Sequence, residues 1–483
     1  TTAYSHWQGS IPITGKIRME KAKADTIPRL VKGEMTSSKV QVGPTFFKMI
    51  IEWSGHYDIT RQIYADLDFT LTAWRSKKLP PNLKQDCLIP PYWAQSWVEI
   101  SGKGKGRIIG SKDPVLYSMV DNAIAKSREY LLERLRDDKF LAHEPDIGQK
   151  NRYWPTGRLS LALFAVLKAE GVAADDPAVL KAVRALANKH RLGQPTGGVG
   201  KLEYDKYSPG LLLMASEEFL KKVAKLPQDR VTDDIARLEK TLKLKMKVTL
   251  ELLIQSFTAN TIMDFSNLQY LILGLHAGAR AGIFNSGHPK FENTWRSLLR
   301  KILKFQMKNG DATEVTDIFA NDKNYNVSLK VPADGWGYMF MDLALEKGAT
   351  FVSGSMTCTG IASVAIAMKY LDVTGKLTAE ERAGGRRAIL RGLAWMKLNY
   401  GVWPGAVAGE WYEYYMYALE RAGIIAGFQF IGSRDWYRDG TLALCAQQRA
   451  NGSWGYDSFG DSVPTAFALL FLKKASSLVS APK

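Results

Sequence analysis

The sequence predicts an all-α protein: an (α/α)6 toroid of about six paired-helix repeats, preceded by an irregular N-terminal arm. Three observations carry this. Six segments, beginning near Leu159, Leu211, Leu268, Ile361, Ala418 and Ala466, are apolar or small on nearly every face, the pattern of a helix buried all round. Between them run amphipathic stretches with apolar residues every three or four positions. A unit of Gln, short polar turn, Gly-x-Trp and apolar helix recurs, most clearly at Gln448, Gly452 and Trp454 before Val463–Leu472.

Taken in order, residues 1–115 read as a basic, Trp-rich arm or small irregular domain. Pro80-Pro81 and Pro90-Pro91 interrupt long helices. Trp7, Trp53, Trp74, Trp93 and Trp97 need apolar surface to bury against, so packing on the toroid or on a neighbouring subunit is expected. Helices are expected around Pro44–Trp53 and near Ile59–Trp74.

Residues 116–483 read as the toroid. Its amphipathic helices are expected at about Asn122–Arg134, Pro177–His190, Thr232–Ile254, Phe291–Met307, Ala379–Leu398 and Arg434–Arg449. Asp175-Asp176-Pro177 and Thr378 with Glu380 and Glu381 are helix-start signals, since carboxylates offset the helix dipole there. Most buried segments start about 50 residues apart, and one gap is wider because residues 310–353 are inserted. Related Gln and Trp pieces sit at Gln306–Gly310 and at Asp334-Gly335-Trp336-Gly337-Tyr338. A closed ring is preferred to an open solenoid, which would demand a polar stripe on each inner helix. The helix near Val120–Arg134 should then lie by the helix ending at Leu472.

The chain of 483 residues is 46% apolar and carries a formal charge of +17, of which residues 1–110 hold +7. Such a balance implies an acidic partner: nucleic acid, an anionic polysaccharide or an anionic envelope surface. The basic residues are scattered, and no motif of sequence-specific nucleic-acid recognition accompanies them. Lys103-Gly-Lys105-Gly-Arg107 lacks the phosphate-loop pattern and reads as a basic turn. No uninterrupted apolar run approaches 18 residues, so no transmembrane segment is expected. Cys87, Cys358 and Cys445 lie far apart and read as free thiols, with a single disulfide as the alternative. The first residue, Thr1, fits removal of a signal peptide, and an exported setting is expected beside a cytoplasmic alternative.

The runs Gln448…Gly452-x-Trp454, Gly354-Ser355-Met356-Thr357…Gly360, Trp411–Ala422, Asp435–Gly440 and Thr465–Leu472 resemble the prenyltransferase and squalene-oxidase repeat superfamily. The match covers about residues 120–475 and is closest to an uncharacterised exported bacterial branch. The resemblance implies a terpenoid-cyclase-like toroid in which the Gln amide caps helix ends and the Trp staples neighbouring repeats. It also exposes absences. The Asp-x-Asp-Asp acid run of the cyclases is missing, Asp66-Leu67-Asp68 being the nearest. None of the six His has metal-ligand spacing to a Cys, so neither zinc nor any other cofactor is expected.

Candidate site residues follow from polar groups in the repeats. On a helix Glu413, Tyr417, Glu420 and Arg421 share a face; Glu413 would serve as acid or base and Tyr417 would stack on a sugar. The competing reading pairs Glu420–Arg421 with Arg438 or Asp435 to lock two repeats. Asp334 and Asp457 look like matching residues of two repeats, catalytic or turn-forming. His276 reads as a satisfied core histidine or a cavity residue; His143 and His288 read as loop residues. Gln448, Gly452, Trp454 and Trp336 are expected to be structural. The function expected is a non-catalytic, exported toroid binding a protein partner, its own copies or an acidic polymer. A carbohydrate lyase or hydrolase, or a terpenoid- or prenyl-handling protein, are the alternatives.

Overall fold

The computed structural model describes residues 13–19, 29–42, 45–58, 63–76, 98–106, 114–142, 155–188, 207–259, 264–308, 310–319, 328–339, 352–402, 411–455 and 461–474. The chain divides into two compact units, Thr1–Met119 and Val120–Lys483.

The first unit corrects two expectations. Its described residues form a five-stranded antiparallel meander in the order β1 (Ile13–Met19), β2 (Arg29–Val42), β3 (Thr45–Asp58), β4 (Ile63–Ser76) and β5 (Val98–Gly106). The arm is therefore not simply irregular, and the helices expected at Pro44–Trp53 and Ile59–Trp74 are strands β3 and β4. The short links between β2 and β3 and between β3 and β4 suit hairpins, which antiparallel neighbours require.

The second unit is helical. After α1 (Pro114–Arg136) and the single turn α2 (Asp138–Leu141) come α3 (Pro155–Lys168), α4 (Pro177–Asn188), α5 (Tyr207–Val223), α6 (Asp233–Thr258), α7 (Phe265–Arg280) and α8 (Phe291–Lys304). The hairpin β6 (Ala312–Thr316)–β7 (Ser328–Pro332) follows, then α9 (Gly354–Val373), α10 (Ala379–Leu398) and α11 (Tyr412–Ala426). A two-residue ladder, β8 (Phe430–Ile431) and β9 (Arg434–Asp435), leads to α12 (Trp436–Gln447) and α13 (Ser462–Leu472). Local chemistry sets the starts. Thr232, Asp264, Ser353 and Asp435 each accept a hydrogen bond from the third helical N–H of α6, α7, α9 and α12. Thr378 and Glu381 form a reciprocal capping box on α10.

Two helix classes alternate. In α3, α7, α9 and α13 nearly every residue is buried, while α8 buries one face through Phe291, Thr294, Trp295, Leu298, Leu299 and Ile302. The buried class packs in sequence: α3 on α5, α5 on α7, α7 on α9, α9 on α11, α11 on α13 and α13 on α3. The succession of neighbours returns to its first member. Close approach requires glycine: a Cβ on Gly210 of α5 would lie 2.1 Å from the Tyr270 carbonyl oxygen of α7. Helix α9 has the length and the mean hydropathy, 1.2, to cross a membrane, which the count of uninterrupted apolar runs missed; 78% of that window is buried in the unit.

Candidate functional site

Two Gln–Trp modules organise the chain around the buried helices. In the first, Gln306 Nε2 donates to the Asp334 and Ala388 carbonyls (3.3 and 2.9 Å). Trp336 Nε1 donates to the Ile302 carbonyl (2.9 Å), and Trp336 N donates to Thr357 Oγ1 (3.2 Å). In the second, Gln448 Nε2 donates to the Gly452 and Ala123 carbonyls (3.1 and 2.9 Å). Trp454 Nε1 donates to the Leu444 carbonyl (2.9 Å), and Trp454 N donates to Thr465 Oγ1 (3.0 Å). The sets match bond for bond. Each indole caps the carbonyl four residues before its Gln, and each threonine is the fourth residue of the next buried helix. Gln306 ties the end of α8 to α10; Gln448 ties the end of α12 to α1. Both indoles are fully buried.

The same correspondence places Asp334 opposite Gly452, so Asp334 and Asp457 are not equivalent positions; Asp457 lies outside the described residues. Buried Asp334 accepts from Gly310 N (3.2 Å) and pairs with Arg391 (3.2 Å), which occupies its carboxylate with local structure.

A polar cluster among the described residues lies where α5, α7, α9 and α11 begin and runs inward along α7, α9 and α11. Phe265 N donates to the Tyr338 carbonyl (2.9 Å), which brings the segment carrying Trp336 to the start of α7. There Asp264 Oδ1 accepts from Asn267 N (2.8 Å) and Oδ2 from Asn267 Nδ2 (2.7 Å). Burial nevertheless holds the Asp264 carboxyl above its ordinary range, with those hydrogen bonds opposing it. The Tyr207 hydroxyl bonds Ser266 Oγ. Burial raises Tyr207 and Tyr338, and the nearby Asp264 charge adds to this. Tyr338 is 46% exposed, so the network reaches solvent here.

Deeper in, Gln269 of α7 joins three helices. Its amide nitrogen faces the Tyr414 hydroxyl and Thr359 Oγ1 (3.0 Å), and its oxygen accepts from Arg421 Nε (3.0 Å). An arginine only donates, which fixes that orientation. Burial pushes the Tyr414 hydroxyl up to about 12. The Arg421 guanidinium lies 3.8 Å from the Tyr417 ring centroid, and Tyr417 stacks on Phe467 of α13. Arg421 and Tyr417 are almost fully buried.

Of the face drawn from the sequence, Tyr417 and Arg421 come together while Glu413 stays half-buried at the start of α11. Arg421 turns to Gln269 and Tyr417 instead of Asp435; Glu420 and Asp435 both act on the charge of Lys474. Sequence reasoning missed Asp264, Tyr207, Ser266, Gln269 and Thr359. The available signal was a polar residue inside a segment otherwise wholly apolar, because a buried polar group must find a partner.

At their other ends α3, α5 and α7 meet in an ion cluster. Glu217 is 1% exposed and pairs with Lys221 (2.6 Å) and Arg280 (2.7 Å); Glu218 pairs with Lys168 (2.8 Å). His276 Nδ1 bonds the Tyr370 hydroxyl (2.8 Å), and burial pushes this imidazole well below its usual pKa. It is a neutral core histidine at neutral pH. His288 Nε2 meets Glu251 (2.8 Å), and His143 lies outside the described residues. Cys358 and Cys445 are free thiols, and Cys87 lies outside the described residues.

Comparison with family models, with curated proteins and with solved structures returns no match.

Proposed function

We propose that residues 120–474 build a closed (α/α)6 toroid that serves as a binding or structural component of an envelope or extracellular assembly, not as a catalyst. The packing of α13 on α3 and the bond from Gln448 to Ala123 support closure. One observation carries the functional part: the polar side chains converging at the helix starts satisfy one another. Gln269, Thr359, Tyr414 and Arg421 form a bonded network, with Arg421 lying over the Tyr417 ring. A fully satisfied polar core rigidifies and specifies a fold. The export expected from the resemblance belongs to the same proposal.

The test is incubation of the full chain with neutral, carboxylated and sulfated polysaccharides and with prenyl diphosphates. Binding is read by calorimetry and turnover by chromatography. Binding without product is the expected result; product formation overturns the reading.

A specific observation favours a second reading, a carbohydrate lyase or hydrolase. Asp264 is a buried carboxyl of raised pKa with Tyr207 and Tyr338 beside it, the environment of a general acid. It also has a consequence for stability. A raised folded-state pKa favours folding fully below the ordinary carboxylate value, and that contribution is lost as pH rises through the raised value. Asp264→Asn keeps a cap acceptor, so it should remove this part of the pH dependence in urea titrations run at several pH values. If turnover is found and Asp264→Asn abolishes it at unchanged melting temperature, the second reading replaces the first.

A further inference from the structure

A different polar feature lies on α10, outside the network that α5, α7, α9 and α11 build. The β6–β7 hairpin rests on α10 over a small separate core of Val315, Ala333, Leu390 and Ala394. Asp317 Oδ1 accepts from Phe319 N (2.9 Å), which fixes the turn leaving β6. This turn and α10 enclose a depression of about 360 Å³, lined by Asp317, Phe319, Arg382, Arg386, Arg387 and Leu390 among others. Small-ligand sites span roughly 300–1,000 Å³.

Arg382 and Arg386 share a helical face by their spacing of four residues, and Arg387, the next residue, also lines the depression. They differ in how they are used. Arg382 is committed to Asp372 Oδ1 (2.5 Å), and Arg391, one turn beyond Arg387, to Asp334 (3.2 Å). Arg386 lies over the Phe319 ring, 5.2 Å from its centroid, and both Arg386 and Arg387 are exposed. Among the described residues neither pairs with a carboxylate. Arg386 and Arg387 both line the depression, and Arg386 is already oriented by an aromatic face. An oxyanion in the depression can receive a planar fork of donors from each.

We infer that this depression binds the anionic group, sulfate or carboxylate, of an acidic polysaccharide. Its volume admits the sugar ring that carries the group as well as the group itself. The outer faces of Phe319 and Leu390 provide apolar floor. A nucleic-acid strand is disfavoured, because stacking successive bases takes a row of aromatic faces, and Phe319 is the one aromatic residue among the described residues that line the depression. This inference does not rest on the toroid reading or on the absence of catalysis, and its failure leaves both as they stand.

The test uses the full chain and measures binding of heparin, polygalacturonate, inorganic sulfate and a DNA duplex at two salt concentrations. Two double variants carry the same charge change. One is Arg386→Glu with Arg387→Glu; the other is Lys243→Glu with Lys247→Glu, on exposed positions of α6. Thermal melts establish that both fold. The arginine variant should lose about tenfold or more in affinity for a polysaccharide that the wild type binds, against less than about twofold for the lysine variant. Arg387→Lys, which keeps the charge and loses the fork, should fall between. Equal losses in both double variants would reduce the effect to overall charge and overturn the inference. So would wild-type protein that binds neither polysaccharide, or that binds DNA more tightly than either with the same arginine dependence. Competition by inorganic sulfate alone, with no polysaccharide binding, would leave an adventitious ion only and would likewise overturn it.

Discussion

The module around Trp336 and the module around Trp454 make the same hydrogen bonds across very different lengths of chain. From Gln306 to the carbonyl it caps at Asp334 is 28 residues; from Gln448 to Gly452 is four. The bonded set therefore defines the module, and the connecting segment is free to grow. Loop closure grows only logarithmically with length, so an insertion costs little once its ends are fixed. The two modules fix those ends differently. The longer one uses the Asp334 side chain, which holds Gly310 and Arg391. The shorter one has Gly452 at φ 86°, where a Cβ would lie 2.5 Å from the Lys126 carbonyl oxygen of α1.

Truncating either indole should break the comparison most severely. Trp336→Ala and Trp454→Ala should each cost about 3–5 kcal/mol in urea unfolding, the range for a buried aromatic. A loss below about 1 kcal/mol at one of them would mean that the modules are alike in geometry but not in energy.

Next come the close approaches. A Cβ on Gly360 would sit 2.3 Å from the Trp336 ring, whereas the matching position behind Trp454 is Ala468. Gly360→Ala should therefore cost about 1–3 kcal/mol by overpacking, although alanine favours a helix. Ala468→Gly should cost only about 1 kcal/mol, from propensity. If Gly360→Ala stabilises the protein, the tight seat of Trp336 is not real.

Smaller effects sharpen the match. Gln306→Ala and Gln448→Ala each strand two carbonyls, at about 1–3 kcal/mol. Hydrogen exchange should separate them: the first should loosen α10, the second α1. Protection lost in the same helix for both would contradict the assigned partners. Thr357→Val and Thr465→Val remove the acceptor of each Trp amide, and calorimetric melts should register about 0.5–1.5 kcal/mol for each.

Helical periodicity was legible because burial enforces it. Each apolar segment anticipated at Leu159, Leu211, Leu268, Ile361, Ala418 and Ala466 falls within α3, α5, α7, α9, α11 or α13. The amphipathic stretches fall on α1, α4, α6, α8, α10 and α12. The first unit was misread for a reason visible in β4. Ile63, Ala65, Leu67, Phe69, Leu71 and Ala73 alternate with mostly polar residues, the period of a strand and not of a helix. The buried network was less legible, since nothing local tells Gln269 that Arg421 faces it. Pairings between distant helices are decided by packing, and one sequence lacks the covariation that would reveal them. Asp334 and Asp457 looked equivalent because each lies beside a Trp-Gly-Tyr run; the hydrogen bonds set the register, with Asp334 opposite Gly452.

The bond from Gln448 to Ala123 joins residues 325 positions apart. A ribosome adding about 5–20 residues per second takes on the order of 16–65 s to span that interval. Throughout it, α1 has left the tunnel while its partner has not been made. The nascent chain must hold the α1 side of this contact unmatched for that interval. A message cut short before the second module yields a protein whose first helix never meets its mate, and such a product should be drawn to chaperones and proteases. The second module thus doubles as a check that the chain from α1 to α12 has been translated.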